Sequence, residues 1–126
     1  MRVGIVGQGY LGTAYSKLFD DAYIYDEPKK IGNREELNQC DIALVAVPTD
    51  PLPDGSLDMS IVEDVISWLD TPLILIKSAL MPGTVDKLIE KTGKKIAVSL
   101  EMIGMGKYYL DPSKYPDPVD PNILLC

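Results

Sequence analysis

Val3-Gly4-Ile5-Val6-Gly7-Gln8-Gly9-Tyr10-Leu11-Gly12 opens this chain of 126 residues, and its reading decides the fold. Apolar Val3, Ile5 and Val6 run into glycines spaced G-x-G-x-x-G, and Leu11, Ala14, Tyr15, Leu18 and Phe19 then recur at helical spacing. A strand that breaks into glycines and then a helix is what a dinucleotide needs. Gly7 permits the tight turn, Gly9 lets backbone approach a pyrophosphate, and Gly12 lets helix and strand pack closely. The pyrophosphate would rest on backbone N–H groups at the positive end of a helix opening near Tyr10, without any basic side chain. Gly7, Gln8, Gly9, Tyr10 and Leu11 are therefore the cofactor-binding candidates of this turn.

A bare glycine motif is weak evidence, and here its neighbours strengthen it. Tyr23-Ile24-Tyr25 reads as a second strand, ending in Asp26. Asp26 falls about 20 residues after the first glycine, where a carboxylate that takes the ribose hydroxyls is expected. The bland alternative is a glycine turn followed by an Asp that merely starts a loop. A carboxylate there also repels a 2′-phosphate, so NAD is favoured over NADP.

Composition narrows the function classes. The length suits one domain, 1–126, burying roughly two-thirds of its unfolded surface. A net charge of −7 argues against nucleic acid or an anionic membrane as partner. The two cysteines, Cys40 and Cys126, lie far apart and suggest neither zinc nor a disulfide framework. With no signal peptide ahead of Met1 and no apolar run of membrane-spanning length, a reducing, cytoplasmic setting is expected. There is no histidine, so acid–base work would fall to Asp, Glu, Lys, Tyr or water.

Further along, Asn33-Arg34-Glu35-Glu36 reads as a capped start of a short helix ending near Asn38. The near-continuous apolar run Asp41–Val47 predicts a strand buried on both faces of a parallel sheet. Pro48–Ser56 is a turn-rich loop leaving that strand. Asp58 or Ser60 then caps a helix carrying Ile61, Val62, Val65, Ile66 and Leu69, Ser60 with Glu63 forming a second capping box and Trp68 packing near its end. Leu73–Ile76 is the next buried strand. Pro82-Gly83-Thr84 turns into a helix reaching about Lys91 and stopped by Gly93, followed by a short strand at Ile96–Val98. Ile123–Leu125 could add an edge strand. Alternating strands and helices predict an α/β fold, a Rossmann-type doubly wound parallel sheet. Only one short helix fits between Asp26 and the Asp41–Val47 strand, so the first half is trimmed, its third strand short or missing. Gly7–Gly12, Asp26, Pro48–Asp50, Lys77–Ser78 and Ser99–Glu101 all follow strand carboxyl ends and should converge along one edge. Lys77 admits two readings: a strand-end lysine in solvent, or a positive charge helping to position this edge.

With these residues in view, the chain resembles the amino-terminal domain of the UDP-glucose/GDP-mannose dehydrogenases. The resemblance rests on the glycine turn, Val47-Pro48-Thr49, Lys77-Ser78 with Pro82-Gly83-Thr84, and Glu101 ahead of Gly106, and spans nearly the whole chain. Members of that family use NAD to oxidise the C6 alcohol of a nucleotide sugar to the acid, in two hydride transfers through a thiohemiacetal on cysteine. The resemblance implies that Asp26 holds the adenosine ribose and that Val47, Pro48, Thr49 and Ser78 lie along the cofactor. It also implies that Glu101, otherwise a solvated loop residue, is the catalytic carboxylate near the nicotinamide and the sugar.

Departures from the family pattern bound this expectation. Ala79 stands where K-S-T would have threonine, and Leu100, Met102, Gly104 and Met105 replace the residues that frame the glutamate. The family's catalytic cysteine and its partners would lie beyond Cys126, and neither Cys40 nor Cys126 replaces it by motif. The chain by itself is thus expected to bind NAD without completing the oxidation, acting on a nucleotide sugar only when the missing part is supplied. It is expected to be either the front of a longer dehydrogenase or a short, non-catalytic nucleotide-binding module. Uncovered apolar surface in such a piece is compatible with a homo-oligomer.

Overall fold

The computed structural model describes residues 1–100. Five strands, β1 (Val3–Val6), β2 (Tyr23–Tyr25), β3 (Ile42–Val45), β4 (Leu73–Ile76) and β5 (Ile96–Val98), form one sheet in the order β2-β1-β3-β4-β5. Every pairing is parallel. The crossovers carry α1 (Tyr10–Leu18), α2 (Arg34–Leu37), α3 (Ser60–Trp68) and α4 (Thr84–Thr92). The expected α/β, doubly wound arrangement is what the chain adopts. Among the described residues no strand lies outside β2, and the four-residue α2 alone spans the step from β2 to β3, as the trimmed first half requires.

Strand periodicity assigns the two faces. In β1, Val3 and Ile5 pack with Tyr15 and Leu11 of α1 and with Leu44, whereas Val6 joins Ala43, Val45, Ile74 and Ile76 against Leu37, Val62, Val65, Ile66 and Leu88 of the other helices. Helices therefore cover both faces, which is why the strands read as continuous apolar runs instead of alternating ones. The register is strongly specified, because a one-residue slip would exchange the two sets of side chains. Gly4 occupies the α2 side of β1, where an added Cβ would lie 2.8 Å from Leu37 Cδ1 and 3.2 Å from Cys40 Sγ.

Two helix starts differ in how they are capped. Asn33 Oδ1 accepts the backbone N–H of Glu36 at 2.8 Å, as its position predicts. At α3 the expected Ser60–Glu63 box is not made. Ser60 is the first helical residue, Met59 precedes it without a side-chain cap, and Asp58 Oδ1 accepts the Ser60 N–H at 2.9 Å. Asp58, two residues upstream, is the better placed acceptor, and it draws the turn one residue earlier than the motif implies. Gly93 ends α4 with a left-handed φ of 69°. The proposed edge strand at 123–125 lies outside the described residues.

Candidate functional site

The crossovers from β1 to β2 and from β2 to β3 leave in opposite directions, and a crevice opens at the carboxyl ends of β1 and β3. A cleft of about 930 Å³ occupies that position. Gly7, Gly9, Tyr10 and Leu11 form one wall and Asp26 with Glu27, Pro28 and Lys29 a second. Ala46, Val47, Pro48 and Ser78 close it at β3 and β4, and Ser60, Ile61, Asp64 and Val65 of α3 line the remaining side. Gly7, Gly9, Asp26, Pro48 and Ser78, from four separate strand ends, thus meet at one cleft, whereas Asp50, Lys77 and Ser99 do not line it.

Two of the three glycines of the turn are demanded by the chain's own backbone, and the third is not. Gly7 has φ +99°, and a Cβ there would fall 2.4 Å from the Ala46 carbonyl oxygen. At Gly12 a Cβ would lie 1.7 Å from the Gly7 carbonyl oxygen, so only a hydrogen lets α1 sit this close to β1. Gly9 is the contrast: its φ is −83°, and a Cβ would meet no atom within 4 Å. Protein packing does not demand glycine there. The space it leaves faces the cleft, where a ligand would need to reach the backbone.

Asp26 is built into the same corner. Its Oδ2 accepts the Gln8 backbone N–H at 2.7 Å and its Oδ1 the Lys29 N–H at 2.9 Å. The loop behind it is closed by paired backbone bonds between Asp26 and Ile31, with Lys30 in the left-handed region at φ 57°. The Lys29 ammonium donates to the Gln8 carbonyl. Each carboxylate oxygen still has a lone pair to offer. Ser78 ties the far wall together, its hydroxyl donating to the Val47 carbonyl at 2.7 Å.

Among the other expected site residues, Gln8 sits in the turn behind the lining, and Thr49 is half-buried in the loop after β3 without lining the cleft. Ala79 is exposed. Glu101 lies outside the described residues. Lys77 is 5% exposed, so the solvent reading is set aside. Its ammonium donates to Ser99 Oγ at 3.1 Å and lies 5.2 Å from the centre of the Tyr15 ring, on the α1 side of the sheet.

Residues that sequence reasoning passed over stand beside the cleft. Arg34 stacks on Trp68 at 4.7 Å, and its Nε donates to the Tyr25 hydroxyl at 3.1 Å. That bond, and secondarily Glu27 at 3.2 Å, raises the guanidinium further above its ordinary range, against the opposing effect of burial. Ser60 and Ile61 were read only as helix start and apolar stripe, and Asp64 was not singled out. The available signal was their spacing along the first two turns of a helix that follows a strand carboxyl end.

No protein-family model matches the sequence, and no curated protein matches it. The fold does match solved structures. A GDP-mannose dehydrogenase from Pseudomonas aeruginosa, solved as a ternary complex, superposes with a TM-score of 0.60 at 19% identity over 80% of this chain and 36% of that one. A UDP-glucose dehydrogenase from the hyperthermophilic archaeon Pyrobaculum islandicum gives 0.61 at 20% identity over 79% and 35%. This chain therefore spans about a third of either protein, and over that span it shares their Rossmann-like fold.

Proposed function

We propose that this chain is the NAD-binding domain of a nucleotide-sugar 6-dehydrogenase-like oxidoreductase, catalytically incomplete by itself. The observation that carries the reading is Gly9, a glycine that neither backbone strain nor packing explains, in a cleft wall facing Asp26. The backbone of Gly9 to Leu11 would hold the pyrophosphate at the start of α1. Asp26 would accept the ribose hydroxyls, already oriented by the Gln8 and Lys29 N–H groups. Val47, Pro48 and Ser78 would border the cofactor, with Thr49 in the loop beyond. When bound, NAD supplies the hydride acceptor. The substrate would be a nucleotide sugar, Glu101 would serve near the reacting centre, and the part of the enzyme that acts on the sugar would come from further chain. A cytoplasmic location and a homo-oligomeric state belong to the same reading.

Ala79 favours a second reading, a non-catalytic nucleotide-binding module, since the hydroxyl of the family's K-S-T motif is missing. Calorimetric titration of the chain with NAD and with NADP tests the common core of both. Saturable NAD binding with weaker NADP binding is expected. A folded protein that binds neither would overturn the cofactor assignment. Sequencing the gene past Cys126 separates the two readings, because an immediate stop codon would remove the longer dehydrogenase.

A further inference from the structure

The α3 wall of the cleft has a pattern that pyrophosphate and ribose binding leave unused. Ser60, Ile61, Asp64 and Val65 stand at positions i, i+1, i+4 and i+5 and line the cleft together. Val62 and Ile66 bury the other side of the helix against the sheet, with Val65 at the border between core and cleft, while Ile61 remains 43% exposed. An apolar side chain left open in a cleft that Val47 and Pro48 also line suits one face of a flat heterocycle.

The order of groups around the cleft locates that heterocycle. With phosphate on the Gly9–Leu11 backbone and ribose at Asp26, the base falls between the Glu27–Lys29 loop and α3, the walls not otherwise occupied. Three carboxylates line the cleft. Asp26 is held by two backbone N–H groups, and Glu27 is paired with Arg34. Asp64 alone has no hydrogen-bond or ion-pair partner for its carboxylate among the described residues. An ionised carboxylate only accepts hydrogen bonds, so it welcomes a base edge bearing an amino group and opposes one bearing a carbonyl oxygen.

Resting on the dinucleotide reading, we propose that Asp64 is a base-specificity residue, accepting the exocyclic amino group of adenine from the α3 side of the cleft. Ile61 supplies the apolar contact and Asp64 the discrimination. The site therefore selects an adenine nucleotide over the same nucleotide carrying hypoxanthine, which presents a carbonyl oxygen in place of the amino group.

Calorimetric titration of the full chain with NAD and with nicotinamide hypoxanthine dinucleotide tests this, in the wild type and in Asp64→Asn and Asp64→Ala. Asp64 is exposed on α3, so both substitutions leave the core untouched. NAD is expected to bind the wild type about tenfold more tightly than the analogue, the size of one charge-assisted hydrogen bond. In Asp64→Asn the two should bind within about twofold of each other, since an amide can turn either its oxygen or its N–H toward the base. Equal binding of both nucleotides to the wild type would overturn the proposal and leave the cofactor assignment intact. A preference that persists undiminished in both variants would equally overturn it. Binding of neither nucleotide would remove the cofactor assignment, and the role of Asp64 with it.

Discussion

The Asp26 carboxylate accepts the backbone N–H of Gln8 at 2.7 Å, joining the end of β2 to the glycine turn after β1 across eighteen positions of sequence. One side chain thereby sets the distance between the place where a pyrophosphate would lie and the place where a ribose would lie. The second oxygen accepts the Lys29 N–H, so the carboxylate's orientation is fixed before any ligand arrives.

Replacing Asp26 should consequently affect both binding and folding. Asp26→Ala is expected to weaken NAD binding by about tenfold or more, with a smaller effect on NADP, because the charge that repels a 2′-phosphate is also removed. Leaving the Gln8 and Lys29 N–H groups without their acceptor should cost about 1–2 kcal/mol, read from urea unfolding. Undiminished NAD affinity in the variant would exclude Asp26 as a ribose ligand.

Substitutions at Gly9 and Gly12 should separate ligand space from packing. Gly9→Val is expected to abolish NAD binding with little change in thermal unfolding, since a Cβ there meets no protein atom within 4 Å. Gly12→Ala should destabilise the chain by about 3 kcal/mol or more, because its Cβ would overlap the Gly7 carbonyl oxygen. Calorimetry and denaturant titration of both variants would show the contrast. A Gly9→Val protein that binds NAD normally would count against the turn as the pyrophosphate site.

Lys94 holds the carboxyl end of α3. Its ammonium donates to the Ile66 carbonyl at 2.6 Å and the Leu69 carbonyl at 2.7 Å, groups that a helix end leaves without internal partners. Lys94→Met preserves the apolar stem and removes the donor. Its expected cost is about 1–3 kcal/mol in urea unfolding, and an unchanged midpoint would show that solvent serves these carbonyls equally well.

Cys40 is 1% exposed, and burial pushes its thiol above the ordinary range. Nearby Asp41 adds to the rise and Arg2 opposes it. In a Cys126→Ser background, iodoacetamide should modify the native protein far more slowly than the urea-unfolded chain at pH 8, because the attacking species is the thiolate. Equal rates would place Cys40 in contact with solvent.

The Ser60 N–H bond holds the Asp58 carboxyl below the ordinary carboxylate range. The stability it contributes is complete above the unfolded value of 3.8 and is lost as pH falls through the lower folded value. The difference in urea midpoint between wild type and Asp58→Ala should therefore be constant near neutral pH and shrink toward pH 2. A difference that grew on acidification would contradict the bond.

Much of the architecture was legible from local pattern. Apolar runs at Val3–Val6, Asp41–Val47 and Leu73–Ile76 named the buried parallel strands, because only a sheet covered on both faces tolerates such runs. Spacing between Asp26 and the third strand left room for one short helix, and among the described residues β2 is the outer strand on that side. The converging edge followed from topology, since every loop that leaves a strand's carboxyl end in a parallel sheet emerges on the same side. The Ser60–Glu63 pattern misled because a capping box is a competition among nearby acceptors, and Asp58 won it in three dimensions.

Sequence by itself determined the strand–turn–helix order, the placement of Asp26 after β2 and the parallel α/β class, all of which rest on periodicity and on backbone freedom at glycine. Tertiary structure alone decided which glycine is demanded by packing and which opens onto the cleft, for that depends on atoms brought from Ala46 and from the Gly7 carbonyl itself. It alone buried Lys77 against Tyr15, stacked Arg34 on Trp68 and brought Asp64 to the cleft. Those relations join residues distant in sequence, and their energies exist only once β2, β3 and α3 have docked around the same opening.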